Sequence, residues 1–328
     1  MNPVFDNSAF ELCVLSNPSG YPASFTHAGI EYSQDGYNGY KYFLSQSPFP
    51  RGNDSYENPC FYYANPRTDN RPPIEWIAYP GNPLAEDPGN GYNADPDIMF
   101  FDGDLYVMNR PYLRTPNNYQ WVDAYKCVLS GGNFTFASPV KLFDTDTVPE
   151  NFGYPLSYMP TLASPSFIKY GDKIRSYQLV TNTSNDASQT RNVVIMEGND
   201  LTTSQNFSFL KYGSMFGRDI EPWHLDVFEY DGLLYSIVCC TVDYTANNTY
   251  NFLAVSEDWE NFRIYPRPLS AIKSYRSTGF VRGDGMFIFY LTTLGYFPSG
   301  NVTVDGRNIM CAYRPFQEVL ERVGKSYD

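Results

Sequence analysis

At 328 residues, with 42% hydrophobic and only 18% charged positions, the chain can bury a sizeable core. Its net charge of −13 argues against a nucleic-acid partner, because phosphate binding needs a basic surface. No apolar run approaches the roughly 18 residues that membrane insertion requires. Aromatic residues reach 17%, alongside 24 Gly and 25 Pro, a composition that suits pleated strands joined by tight turns.

In chain order, the amino end MNPVFDNSAFELCVLSNPSG has no basic segment followed by an apolar one, so no secretory signal is expected. Within it, AFELCVLS reads either as a strand closing a ring or as a short helix. A clear pattern begins at His27 with HAGIEYSQDGYNGYKYFLSQ. It recurs as DPDIMFFDGDLYVMNR from Asp95, SPSFIKYGDKIRSYQLV from Ser164, HLDVFEYDGLLYSIVCC from His224 and STGFVRGDGMFIFYLTT from Ser277. Each copy is a short strand, a DG, GD or GDG turn, and a longer returning strand. Asp-Gly between apolar runs is a strong hairpin signal. The intervals of roughly 53–69 residues leave room for four strands per copy. The chain is therefore expected to be all-β: one domain over 1–328, a five-bladed β-propeller with inner strands starting near 27, 95, 164, 224 and 277.

Outer segments around Trp76 and Trp259 recur more loosely, and the tail FQEVLERVGKSYD predicts a short helix near 315–324. Asp35, Asp102, Asp231 and Asp284 fall in the predicted hairpin turns and read as structural. Cys13, Cys60, Cys127, Cys239, Cys240 and Cys311 show no CxxC spacing and are expected as buried free thiols.

In a propeller the first strand of each blade lines the axis, so equivalent repeat positions converge in space. Aligned on their turns, the five copies give His27/Gly29, Asp95/Asp97, Ser164/Ser166, His224/Asp226 and Ser277/Gly279. All ten are polar or glycine, and both histidines of the chain fall among them. Asp95, Asp97 and Asp226, joined by Glu221, are candidate catalytic carboxylates. Crowded carboxylates split their pKa values, and glycoside hydrolysis needs one acid and one base or nucleophile. His27, His224, Ser164 and Ser166 are candidate ligand-binding groups, and His224 with Asp226 is a candidate metal ligand. Glu57, in the run YENP, and Arg51 and Arg110, which trail inner strands, complete the expected binding set.

The repeat typified by DPDIMFFDGDLYVMNR resembles the inner strands of five-bladed propeller glycosidases, above all glycoside hydrolase family 43. That resemblance implies three carboxylates acting as base, pKa modulator and acid, with the base on the first inner strand. Here that position is His27, followed by Ala28 and Gly29, so a carboxylate role passes to Asp95 or Asp97 with Asp226 or Glu221 as partner. It also implies a calcium ion near the axis with His224 beside it. The runs GYKYFLSQSPFPRGNDSYENPCFYYANP and PWHLDVFEYDGLLYSIV look like uncharacterised propeller proteins of tailed bacteriophages. Three functions are carried forward. The first is a glycan-recognising propeller of a phage particle, binding host-surface carbohydrate in a tail or receptor-binding role. The second is an active glycoside hydrolase, and the third a structural virion protein contacting other virion proteins. The expected location is accordingly the virion or the cytoplasm.

Overall fold

All five turn-bearing segments form antiparallel hairpins, and each hairpin extends outward into a meander. A computed structural model of the chain describes residues 3–15, 24–50, 53–115, 119–148, 161–181, 192–216, 221–241, 248–294 and 307–324. The amino end supplies two short strands, β1 (Glu11–Leu12) and β2 (Val14–Leu15). Strands β3 (Thr26–Tyr37), β4 (Tyr40–Ser47), β5 (Cys60–Ala64) and β6 (Glu75–Ala78) follow as the first meander. The second comprises β7 (Gly91–Phe101), β8 (Asp104–Leu113), β9 (Tyr119–Ser130) and β10 (Asn133–Phe136), with β11 (Val140–Asp144) also pairing β9.

The third comprises β12 (Thr161–Tyr170), β13 (Lys173–Thr181), β14 (Asn192–Gly198) and β15 (Ser208–Phe216). The fourth comprises β16 (Glu221–Tyr230), β17 (Leu233–Thr241), β18 (Thr249–Ser256) and β19 (Asn261–Pro268). β15 runs parallel to β19, with Ser214 opposite Asn261, and this fuses the third and fourth meanders into one eight-stranded sheet. The last sheet holds β20 (Thr278–Val281), β21 (Met286–Thr292) and β22 (Ile309–Pro315), and α1 (Phe316–Val323) follows it.

The amino-terminal segment resolves as strand on both sides of a closure. β1 pairs antiparallel with β22 in the last sheet, while β2 pairs parallel with β6 in the first. The first strands of the meanders complete the circle: β3 packs on β7, β7 on β12, β12 on β16, β16 on β20, and β20 back on β3.

Turn chemistry sets the hairpins. Asn38–Gly39, Asp102–Gly103 and Asp231–Gly232 all sit in the left-handed region, with φ of 52° and 83°, 50° and 84°, and 53° and 76°. Paired positive φ is the type I′ signature, whose twist matches the flanking strands. Asp35 is a correction: it lies inside β3, where pairing shifts between Tyr32 and Tyr37, and the tight turn forms at Asn38–Gly39. That choice carries Tyr37 onto Phe43 and Phe100, with ring centroids 6.1 and 5.4 Å away.

Because side chains alternate along a strand, each meander feeds two cores, one on either side. Among the described residues, Phe43 and Phe61 meet Ile98 and Leu105 between the first and second meanders. Met99 and Met108 meet Leu162 and Val194 at the next junction, and Leu179 and Ile195 meet Leu225 and Phe252 at the third. Ile237 and Leu253 meet Phe287 and Phe289, and Ile288 and Tyr290 return to Tyr42 and Leu44 of the first. Many of the described aromatic residues pack in these junctions. α1 seals the fourth-to-fifth junction with Phe316, Val319 and Val323, spaced for one buried helical face. All six cysteines are buried and free. No helix of the described residues is long and apolar enough to cross a membrane.

Candidate functional site

One local device builds the site. In β3, β7 and β12 the register shifts between Thr26 and Gly29, Ala94 and Asp97, and Ala163 and Ser166. Each shift is a bulge in which two residues face one. The first residue of each pair, His27, Asp95 or Ser164, adopts a positive φ of 54°, 52° or 55°. Bulges re-aim side chains, and left-handed non-glycine residues persist only where the surroundings hold them. In β16 the shift falls between Pro222 and His224.

The re-aimed side chains meet at Asp95, which is fully buried. Its Oδ2 accepts from Arg110 Nε and Nη2 at 3.0 and 2.8 Å and from the Ser164 backbone N–H at 3.2 Å. Its Oδ1 lies 2.6 Å from His27 Nδ1 and 3.5 Å from His224 Nδ1. His27 Nε2 is 3.1 Å from Glu57 Oε1, and His224 Nδ1 is 2.5 Å from Ser164 Oγ. Arg110 Nη1 donates to Gln120.

One donor atom each from His27, Asp95 and His224 lie within 4.8 Å of one another. His27 Nδ1 and Asp95 Oδ1 face each other as a close pair, and buried His224 Nε2 makes no hydrogen bond. Buried polar atoms are rarely left so. A buried imidazole nitrogen without a partner beside a histidine–carboxylate pair fits a cation site, and two imidazole nitrogens with one carboxylate oxygen suit a first-row transition ion better than calcium, which prefers oxygen.

Charges sharpen the set. Burial pushes Asp95 up, but Arg110 and His27 overcome it and hold the carboxyl well below its ordinary range. Burial acts to lower His27, and the charge and hydrogen bonds of Asp95, with Glu57, raise it above its ordinary value. Burial holds His224 well below the usual imidazole range against the pull of Asp95, with the charges of His27, Arg276 and Arg110 adding to the lowering.

His27, His224, Glu57 and Arg110 line a cavity of about 260 Å³, with Asp95 buried behind them, and the half-buried aromatics Phe49, Tyr92, Trp223 and Tyr275 complete its walls. Tyr275 stands edge-on to both imidazoles, at 5.0 and 4.4 Å between ring centroids, and its hydroxyl accepts from the Trp223 indole. Arg307 spans the rim over Phe49 and Tyr275.

The single shared mouth expected from the sequence is divided in two. Asp97, Ser166 and Asp226 line a separate cavity of about 290 Å³, formed by later residues of the same inner strands and joined by Glu31. Burial, together with the charge of Asp226, raises Asp97 to about 7; burial raises Asp226 to about 6 against the pull of Arg276. Asp97 Oδ2 accepts from Phe167 N–H, and Asp226 Oδ1 accepts from Ser166. The separation follows from strand rise: residues two apart lie about 6.6 Å apart along the axis. Glu221, at the start of β16, lines neither cavity and accepts from Thr241. Arg51 falls outside the described residues.

Pocket residues Trp223 and Tyr275, and fully buried Arg276, escaped the sequence reading. Trp223 adjoins His224, and the bulge that projects it has no sequence signature. Arg276 and Tyr275 immediately precede the fifth repeat position, Ser277, where the alignment placed only small residues.

No protein-family model matches the sequence, and no curated protein matches it. Among solved structures, the chain resembles an N-acetylgalactosamine deacetylase from F. plautii, solved with blood group B trisaccharide. The TM-score is 0.72 at 16% identity, over 97% of each chain. A xylan β-1,4-xylosidase from Bacillus halodurans gives 0.57 at 12% identity, over 90% of this chain and 54% of that one. A thermostable family-43 glycoside hydrolase gives 0.52 at 11% identity, over 92% of each chain. At these identities the likeness is one of fold: a nearly all-β chain with the architecture of family-43-type propellers.

Proposed function

We propose that the chain is a single five-bladed propeller domain, one blade per meander, that removes an acyl group from an acylated sugar. The reaction would take place at the cavity over His27, Asp95 and His224, with a divalent transition ion held by those three. The observation that carries this reading is the convergence of His27, Asp95 and His224 donor atoms, with His224 Nε2 unpartnered, beside an aromatic-walled pocket. Bound there, such an ion supplies Lewis acidity toward a carbonyl oxygen. Asp95, fixed as the anion by Arg110, contributes the negative ligand. His27 turns one ring nitrogen inward while the other meets Glu57, an arrangement that orients the ring and raises its basicity. The walls suit a sugar, whose C–H faces pack on aromatic rings. The likeness to a sugar deacetylase supports the substrate class.

Glycosidic cleavage fits this pocket less well. It needs two available carboxylates across one cavity, whereas Asp95 is engaged by Arg110 and Glu57 by His27, and Asp97 and Asp226 face the other cavity. Recognition of host-surface glycan on a phage particle, the role the sequence resemblance implies, would use the same pocket.

The test is purified protein, stripped with chelator and reloaded with zinc, cobalt or manganese, offered N-acetylated oligosaccharides. Acetate release that returns on reloading and is lost in His224→Ala supports the proposal. Reducing-sugar release without acetate would replace it with a glycosidase, and binding without either product would leave a recognition module.

A further inference from the structure

Arg276 is the largest fully buried side chain of the described residues, and neither the fold nor the chemistry above explains it. It precedes β20, the one inner strand that begins without a bulge. Its Nη1 donates to the Pro96 carbonyl at 2.7 Å, and its Nη2 to the Pro165 carbonyl at 3.2 Å. Pro96 and Pro165 are the second residues of the bulges whose first residues are Asp95 and Ser164. Proline offers no N–H, and a bulge leaves its carbonyl outside the strand ladder. One planar fork therefore ties the two bulges together across the axis.

We infer that Arg276 is a positioning residue for the His27–Asp95–His224 centre, holding two bulges in the one arrangement that aims Asp95 and His224 at a common point. The connection runs through named contacts. Pro96 adjoins Asp95, whose Oδ2 accepts from Ser164 N–H, and Ser164 Oγ meets His224 Nδ1. Left-handed φ values at Asp95 and Ser164 make both bulges costly to hold, so releasing their carbonyls lets the ligands relax apart.

The rival explanation is charge. Arg276 Nη2 lies 3.7 Å from Asp97 Oδ1 and 4.0 Å from Asp226 Oδ1, and a buried cation beside two carboxylates serves as a counter-ion. The two explanations differ in sign. Deleting a positive charge near a cation site strengthens cation binding, whereas releasing the bulges weakens it.

The inference rests on reading the three residues as metal ligands, and cobalt(II) alone tests both. Cobalt affinity and the visible absorption of the bound ion would be measured at pH 8 for wild type, Arg276→Gln and Arg276→Lys, with thermal unfolding alongside. Expected is a 10–100-fold loss of affinity in both variants, the range found when groups supporting metal ligands are removed, with an altered cobalt spectrum and cooperative unfolding retained. Lys keeps the charge but not the fork, so it also serves if Gln does not fold. Cobalt affinity equal to or tighter than wild type in either folded variant overturns the positioning role. Failure of wild type to bind cobalt overturns the metal reading instead.

Discussion

Replacing Arg110 with Met strands the Asp95 carboxylate in the protein interior. Both side chains are nearly or wholly buried, and the pair is bidentate, with Nε and Nη2 on one oxygen at 3.0 and 2.8 Å. Removing one member of such a pair costs about 3–5 kcal/mol, because the remaining charge stays desolvated. The sign with pH follows from Asp95. Its carboxyl is held well below its ordinary value, so it contributes stability at neutral pH that fades in acid. The deficit of R110M should therefore be largest near pH 7 and shrink toward pH 4. Urea unfolding of metal-free protein reads it. In the cycle with D95N, the double variant should lose less than the two singles together, by ~1.5 kcal/mol or more. A loss below ~1 kcal/mol in R110M, or a cycle additive within ~0.5 kcal/mol, would refute the buried-pair account.

Burial raises Glu31 to about 8, with the charges of Asp97 and Asp226 adding, so the folded chain favours its neutral form. Stability associated with that group is present below its ordinary value and lost as pH rises toward 8. E31Q should therefore be neutral near pH 4.5 and stabilising by ~1–3 kcal/mol above pH 8, and an equal change in melting temperature at both would contradict this. A thiol reagent should find no reactive cysteine in native protein and six in denaturant, since all six are buried. A Cβ at Gly213 would sit 2.0 Å from the Glu260 carbonyl across the β15–β19 seam, so G213A should cost at least ~2 kcal/mol. Gly39 has open space but a φ of 83°, so G39A should cost only about 1 kcal/mol in the same denaturation assay.

Most inner hairpins were legible because their signals are local: Asp-Gly or Gly-Asp pairs between apolar strands mark the turn. The same locality located His27, Asp95 and His224 on the axis. The bulges stayed hidden, since a left-handed φ at His27 or Ser164 is imposed by tertiary contacts and leaves no sequence pattern. Asp95 and Asp97 read as one site, whereas Asp95 is buried behind the His27–His224 cavity and Asp97 lines the other. The sequence reading placed the first hairpin turn at Asp35, but the chain turns at Asn38–Gly39, where Tyr37 packs on Phe100. Arg276 was invisible for a related reason: a lone charge before a small-residue strand looks like surface, and only three-dimensional closure brings it onto Pro96 and Pro165.

Anomalous diffraction from crystals grown with zinc or cobalt bears most directly on the metal centre. A single peak is expected, about 2.0–2.2 Å from donor atoms of His27, Asp95 and His224. An empty His27–Asp95–His224 cluster, or a peak confined to the Asp97–Asp226 cavity, would contradict it.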